Sequence, residues 1–502
     1  MNPSRSSISF VWMLATLKNP RRILAAIALG FGLLATFPSF GQNNISLPEI
    51  GDPSGALITP MQERALGEAF FRNLHEKLTI NQDLEIQEYI VSLGERLSNN
   101  SDNPTQPFHF FVVVNPAINA FAGPGGYIGI NAGLILATET ESELASVIAH
   151  EIAHVTQRHL YRAFEAARRM TIPSAAALLA SVLIGTQSAQ LGQAAIIAAQ
   201  AGSAQHRIDF TRDNEQEADR VGMQNLARSD FDPRGMPAFF EKLDRASRYY
   251  RDGLPEFLRT HPVTASRISD TRGRSEKFPY KQFLDSTEYL LTKAKLRVMT
   301  GSEPNGIIQY FESKLQRGTE TQKAVSHYGY ALGLAAVRQY ERARPVLKDL
   351  IDKNPDESAF INALAGMEVE SGNTSIGLRL YRKALEQSPG QQAIVLDYAW
   401  ALVQAGQNKP ADKLLADYLR NHQATPKIYR ILSRAHGNQG HNAQAHRYLA
   451  EAFFLAGQTE SAIKHVRIAL KEASGHRYLT ALIEERLDVF SREEEERKKK
   501  EK

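Results

Sequence analysis

Three glycines, Gly372, Gly406 and Gly440, recur at 34-residue intervals, and Pro355 and Pro389 keep the same spacing. A period of that length confines the second half of this chain to few architectures. Between the turn residues the sequence is rich in Ala and Leu at helical spacing, as in Tyr340-Glu341-Arg342-Ala343 and in Tyr381-Arg382-Lys383-Ala384-Leu385 ahead of Pro389. One helical hairpin per period cannot bury its own apolar face, so consecutive units must stack into an α-solenoid with a concave binding surface. A plain helical bundle does not need the period. About four to five units fit between residues 286 and 475, the terminal ones degenerate.

The first half carries a different constraint. His150-Glu151-Ile152-Ala153-His154 reads H-E-x-x-H. Thr140-Glu141-Ser142-Glu143 has the form of a capping box, and Leu144, Val147, Ile148, Ile152 and Val155 make an apolar stripe of helical period. On such a helix the two histidines lie one turn apart on the shoulder of the stripe, half-buried and facing a cleft. Imidazoles at that spacing can close on one tetrahedral Zn²⁺, with Glu151 beside the water position as general base. A hydrolytic site needs a third protein ligand, and the extended motif with a further glycine and histidine is absent, because the chain continues Val155-Thr156-Gln157-Arg158-His159. The run Asp213–Arg220 supplies Glu215 as that ligand. Asp219, one turn on, would accept the free N–H of a ligating imidazole and fix its tautomer. Taken alone, the same run also reads as a solvated helix with paired charges. His159, five residues past His154, points away from the zinc face of a continuous helix and reads, with His206 and the later histidines, as surface or structural.

His150-Glu151-x-x-His154 followed by Glu215-x-x-Ala218-Asp219 resembles the zinc endopeptidases that include HtpX, the mitochondrial Oma-type proteases and the CAAX-processing Ste-type proteases. The resemblance extends to Asn119–Ile128 with Gly133-Leu134, and to Thr260-His261-Pro262 with Arg267. It implies that the His-Pro loop lies near the cleft. Arg267 and His261 are then candidates for stabilising the oxyanion. His261 has a second possible role, as a fourth ligand that fills the water position and holds the enzyme latent. The branch resembled is the soluble periplasmic one with C-terminal tetratricopeptide repeats. That implies a Gram-negative periplasm, unfolded or misassembled outer-membrane proteins as substrates, and the outer-membrane barrel-assembly machinery as a partner of the repeats.

Residues 1–41 read as a leader: Lys18, Arg21 and Arg22 precede an apolar run to Phe37, and Ser39-Phe40-Gly41 offers a cleavage site. An uncleaved anchor is the alternative, against which stands the shortness of the run. The arginine pair raises a twin-arginine leader only weakly. With no cysteine in the chain, disulfides and cysteine-linked lipid anchoring are excluded. The apolar halves of Ser174–Gly202 are each too short to span a bilayer and read as buried or interfacial helices, so membrane contact is at most peripheral. A net charge of +4 and the lack of a phosphate loop give no support to nucleic-acid or nucleotide binding.

The chain is therefore expected to be mainly α with a small β element. An α+β zincin-like metalloprotease domain (42–270) precedes a linker (271–285), a repeat solenoid (286–490) and a charged tail (491–502). Phe110–Val114 and Tyr127–Asn131 read as strands, and an exposed edge strand beside the zinc helix would bind extended peptides through the main chain. The functional expectation is a zinc endopeptidase with one Zn²⁺ per chain, exported to the periplasm, that degrades misassembled outer-membrane proteins and assists their assembly. The rival expectation is a repeat scaffold or chaperone whose zinc site is structural or latent.

Overall fold

The computed structural model describes residues 59–163, 179–180, 212–247 and 256–501. The leader, most of Ser174–Gly202 and His206 lie outside them. Helices α1 (Pro60–Lys77) and α2 (Leu84–Asn99) lead into β1 (His109–Val113), β2 (Ala120–Ala122), a short 3₁₀ turn at Pro124–Gly126 and β3 (Tyr127–Asn131). The strand order is β1-β3-β2, with β1 parallel and β2 antiparallel to the central β3. β2 is thus an edge strand. Helices α3 (Ala132–Ala137), α4 (Glu141–Thr156) and α5 (His159–Ala163) follow, then α6 (Arg212–Arg228), α7 (Gly235–Ser247), α8 (Glu256–Thr260) and α9 (Ala265–Ser275).

Helix α4 carries the H-E-x-x-H motif and is enclosed by the sheet, α2, α6 and α7. Thr140 caps it by accepting from Glu143 N–H. The Glu143 carboxylate does not close the capping box; it accepts from Glu139 N–H at 2.6 Å and pairs with Lys242 at 2.6 Å. The apolar stripe joins one core with Ile86, Ile90, Leu93 and Leu97 of α2, Ile128 and Ile130 of β3, and Phe239 of α7. Packing on every side makes His150 and His154 fully buried, at 1% and 2% exposure, rather than half-buried on a cleft wall.

Residues 271–275, expected in a linker, complete α9, and no helix intervenes until α10 (Thr287–Thr300). The connection is docked. Glu141, in the first turn of α4, accepts from Tyr89 OH (3.0 Å), Ser286 N–H (2.8 Å) and Ser286 OH (2.7 Å), while its own N–H donates to Asp285 (2.7 Å). On α10, Tyr289 and Leu296 sit in the core of the zinc helix, while Leu291 and Ala294 sit in that of the repeats.

After α11 (Pro304–Glu312) come five hairpins: α12 (Glu320–Ala336) with α13 (Tyr340–Lys353), α14 (Ser358–Glu370) with α15 (Thr374–Gln387), α16 (Gln392–Gln404) with α17 (Asn408–Tyr418), α18 (Pro426–Asn438) with α19 (Asn442–Leu455), and α20 (Thr459–Glu472) with α21 (Arg477–Glu501). The periodic glycines end the first helix of their hairpins in the left-handed region, with φ of 91° at Gly372, 74° at Gly406 and 75° at Gly440. The next N–H then closes the helix end in the same way each time, Asn373 to Glu368 O, Gln407 to Leu402 O and His441 to His436 O. Among the described residues no helix is long and apolar enough to cross a membrane.

Candidate metal centre

Three elements converge on one buried point. α4 contributes His150 and His154, α6 contributes Glu215, and His261 follows the short α8. The four donor atoms lie within 4.8 Å of one another. His154 Nε2 is 3.0 Å from His150 Nε2, which is 3.4 Å from His261 Nδ1. Glu215 Oε1 is 2.9 Å from His261 Nδ1 and 3.5 Å from His154 Nε2, and Glu215 Oε2 is 3.5 Å from His150 Nε2. Donors bound at about 2.0–2.1 Å around a tetrahedral zinc lie about 3.3 Å apart. The contacts of 2.9–3.5 Å lie near that edge, and two imidazoles, one carboxylate and a third imidazole are a donor set of the kind zinc takes.

Helix α6 reaches this close because Gly222 faces α4; a Cβ there would lie 3.2 Å from His150 N and 3.3 Å from Ala149 C. Asp219, one turn after Glu215, places Oδ1 3.1 Å from His150 Nδ1, which leaves Nε2 turned to the cluster. Arg267 lies under both carboxylates. Its Nε and Nη2 donate to Asp219 Oδ2 and Oδ1, each at 2.7 Å, and its Nη1 meets Glu215 Oε2 at 2.7 Å and Pro262 O at 2.9 Å. The guanidinium also lies over the Phe240 ring, 4.8 Å from its centroid. Burial raises the carboxyls of Asp219 and Glu215, but the groups hydrogen-bonded to them outweigh it and hold both below their ordinary values. For Asp219 the main one is Arg267; for Glu215 they are His261 and His150.

Glu151 lies against Ala122 of the edge strand, with His261 Nε2 3.5 Å from its Oε1. Both carboxylate oxygens are buried and unsatisfied at ordinary hydrogen-bond geometry, as suits a group that meets a water and a substrate. Burial raises this carboxyl above its usual value, against the lowering by His261 and His150. A small cleft, partly open to solvent and with room for about one water, is lined by Ala122, Gly123, Gly125, His154, Arg158 and Tyr161 among others.

All seven expected site residues, His150, Glu151, His154, Glu215, Asp219, His261 and Arg267, meet here. His159 is a correction. Of the two expected roles, surface or structural, the surface one fails, and the ring does not point away from the site: it is wholly buried, with Nδ1 2.9 Å from His154 Nδ1 and Nε2 3.0 Å from Glu217.

The family model of peptidase family M48 matches residues 85–275, and a tetratricopeptide-repeat model matches residues 296–472. The chain is 34% identical over 477 residues to the beta-barrel assembly-enhancing protease of Yersinia pestis, covering 95% of this chain and 96% of that one. The chain belongs to peptidase family M48. To the beta-barrel assembly-enhancing protease of Escherichia coli (strain K12) it is 33% identical, covering 93% of this chain and 94% of the other. To the mitochondrial metalloendopeptidase OMA1 of Arabidopsis thaliana it is 33% identical over 164 residues, 31% of this chain and 29% of that one. It is a metalloendopeptidase of a zinc-dependent family, mainly helical, with a C-terminal repeat solenoid.

Proposed function

We propose that this protein is a periplasmic zinc endopeptidase that degrades misfolded or misassembled outer-membrane proteins and assists their assembly. The carrying observation is the convergence of four buried donors within 4.8 Å of one another, with the Glu151 carboxylate beside them. The near full-length likeness to beta-barrel assembly-enhancing proteases supports the compartment and the substrate class. His150, His154 and Glu215 would hold the zinc, and Asp219 would orient His150. When bound, the zinc lowers the pKa of a water and polarises the scissile carbonyl. Glu151 takes the proton of the attacking water and passes it to the leaving amine. The outer edge of β2, which pairs with no further strand among the described residues and lies against Glu151, would pair with an extended substrate through main-chain hydrogen bonds. That mode reads little side-chain identity and suits unfolded β-prone clients. The concave face of the repeats recruits the barrel-assembly machinery. The chain reaches this compartment through a leader cleaved near Gly41, and the working domains are those expected at 42–270, carried on to the end of α9 at Ser275, and at 286–490.

His261 supports a second reading, a latent protease that works meanwhile as a scaffold, because its Nδ1 stands at the fourth corner of the donor set. Casein cleavage by the purified chain tests both, with Glu151→Gln and a chelated sample alongside. Cleavage abolished in both controls supports the active protease. No cleavage by wild type but cleavage by His261→Ala supports the latch. No cleavage by either, with zinc bound, overturns the enzymatic reading and leaves the scaffold.

A further inference from the structure

Each ligating histidine of α4 has its outward nitrogen occupied, but by different means. His150 Nδ1 meets the Asp219 carboxylate directly. His154 Nδ1 meets another imidazole, that of His159, whose far nitrogen lies 3.0 Å from Glu217 Oε2. Glu215, Glu217 and Asp219 all come from α6. One helix thus supplies a donor to the cluster and the acidic ends of both second contacts.

We infer that His159 is a positioning residue for the metal site, fixing His154 in the tautomer that leaves Nε2 free for zinc, with Glu217 orienting His159 in turn. The 2.9 Å contact between His154 Nδ1 and His159 Nδ1 has room for one hydrogen. If His154 carries it, Nε2 keeps its lone pair for the cluster. If His159 carries it, a neutral His154 must hold its proton on Nε2, where it blocks metal binding. Glu217 selects the first arrangement. A carboxylate beside His159 Nε2 favours N–H there, which leaves Nδ1 as an acceptor for His154. The chain His154–His159–Glu217 therefore has one productive direction.

The backbone is bent to bring this about. α4 stops at Thr156, and Arg158 takes φ of 56°, a left-handed conformation unfavourable for a residue with a Cβ. That reversal starts α5 at His159 and turns its ring back onto His154. The turn is braced by Arg158, whose guanidinium lies 5.1 Å from the Tyr161 ring centroid and 3.6 Å from Glu63. Tyr161 OH in turn accepts from Gly125 N–H at 3.3 Å.

The inference rests on His154 being a zinc ligand, and the test separates the two. Zinc affinity of the purified chain is measured by competition with a chromogenic chelator, for wild type, His154→Ala, His159→Asn, His159→Gln and His159→Phe. Asn places its Oδ1 where His159 Nδ1 accepts from His154; Gln places its amide nitrogen near Nε2 and offers His154 no acceptor. Loss of such an outer contact weakens metal binding by about 10–100-fold. His159→Phe and His159→Gln are expected to lose that much, with His159→Asn staying within about threefold of wild type. Space-filling alone would make Phe the mildest change. If His159→Phe does not fold, the order of Asn and Gln decides. Gln binding zinc as tightly as Asn, or as wild type, overturns the inference. If His154→Ala lowers affinity while no His159 variant does, only this inference fails; if His154→Ala binds as wild type, the ligand assignment fails.

Discussion

Arg267→Lys separates two accounts of one side chain. As an oxyanion donor, Arg267 acts in the transition state, and a lysine would lower turnover while leaving the resting protein intact. As the base of the metal site, it holds Asp219 and Glu215 in place. Asp219, Glu215 and Arg267 have side chains 1%, 2% and 3% exposed, so their charges have almost no solvent to fall back on. Four contacts, to both Asp219 oxygens, Glu215 and Pro262 O, use a planar fork that one ammonium cannot reproduce. Lysine retains charge but loses at least two charge-assisted bonds, each about 1.5–3 kcal/mol. Breaking a buried ionic network costs about 3–5 kcal/mol. For a unit of about 150–250 residues that is roughly 6–20 °C in the first melting transition. Freed from its clamp, Asp219 no longer fixes His150, and zinc affinity falls by about 10–100-fold. Thermal melting by circular dichroism and chelator competition read the two effects. Unchanged melting and zinc affinity with a large loss of kcat would refute the clamp and establish the oxyanion role.

Glu88 accepts from Ala393 N–H at the start of α16, and burial raises its carboxyl to about 7. A carboxyl whose folded pKa exceeds its unfolded value favours the fold below the unfolded pKa, and that contribution is lost as pH rises from about 4.5 to 7. Glu88→Gln keeps the acceptor without the charge, so its melting advantage should be near zero at pH 4 and grow to at most about 3 kcal/mol at pH 8. An advantage constant across that range would count against the assignment. Gly406→Ala should cost about 1 kcal/mol, since a Cβ there meets nothing within 4 Å and only the φ of 74° objects. Arg338 sits at the matching place one period before Gly372 with φ of 60°, so Arg338→Gly should gain about 0.5–1 kcal/mol in denaturant melts. Gly222→Ala should press α6 away from His150 and cost about 1–3 kcal/mol together with zinc affinity, by the same two measurements.

The solenoid was legible because its turns are chemically marked. A left-handed residue is demanded at each period, and Gly372, Gly406 and Gly440 mark it with the residue that adopts it most readily. The hairpin before them was harder to see for the same reason: Arg338 fills that position without the marker, and Gln339 N–H still closes on Leu334 O. The two long strands were readable from β-branched and aromatic runs, but β2 was not. Ala120-Phe121-Ala122 is too short and bland to announce a strand; it is set by pairing, with Phe121 opposite Gly129, where a Cβ would lie 2.5 Å from the Phe121 ring.

Within the site, spacing along a helix revealed what lies on one face of that helix and nothing beyond its end. His150 with His154, and Glu215 with Asp219, are pairs four apart inside single helices. Five residues past His154, continued helical geometry turns a side chain away from the zinc face. The rule fails at His159 because the helix has already stopped at Thr156. The residue that reverses the chain is Arg158, and arginine in a left-handed conformation leaves no mark in composition or pattern. What holds it there is tertiary, the Tyr161 ring and Glu63 of α1. A contact that depends on a backbone reversal, itself dependent on another helix, is legible only once both are in place.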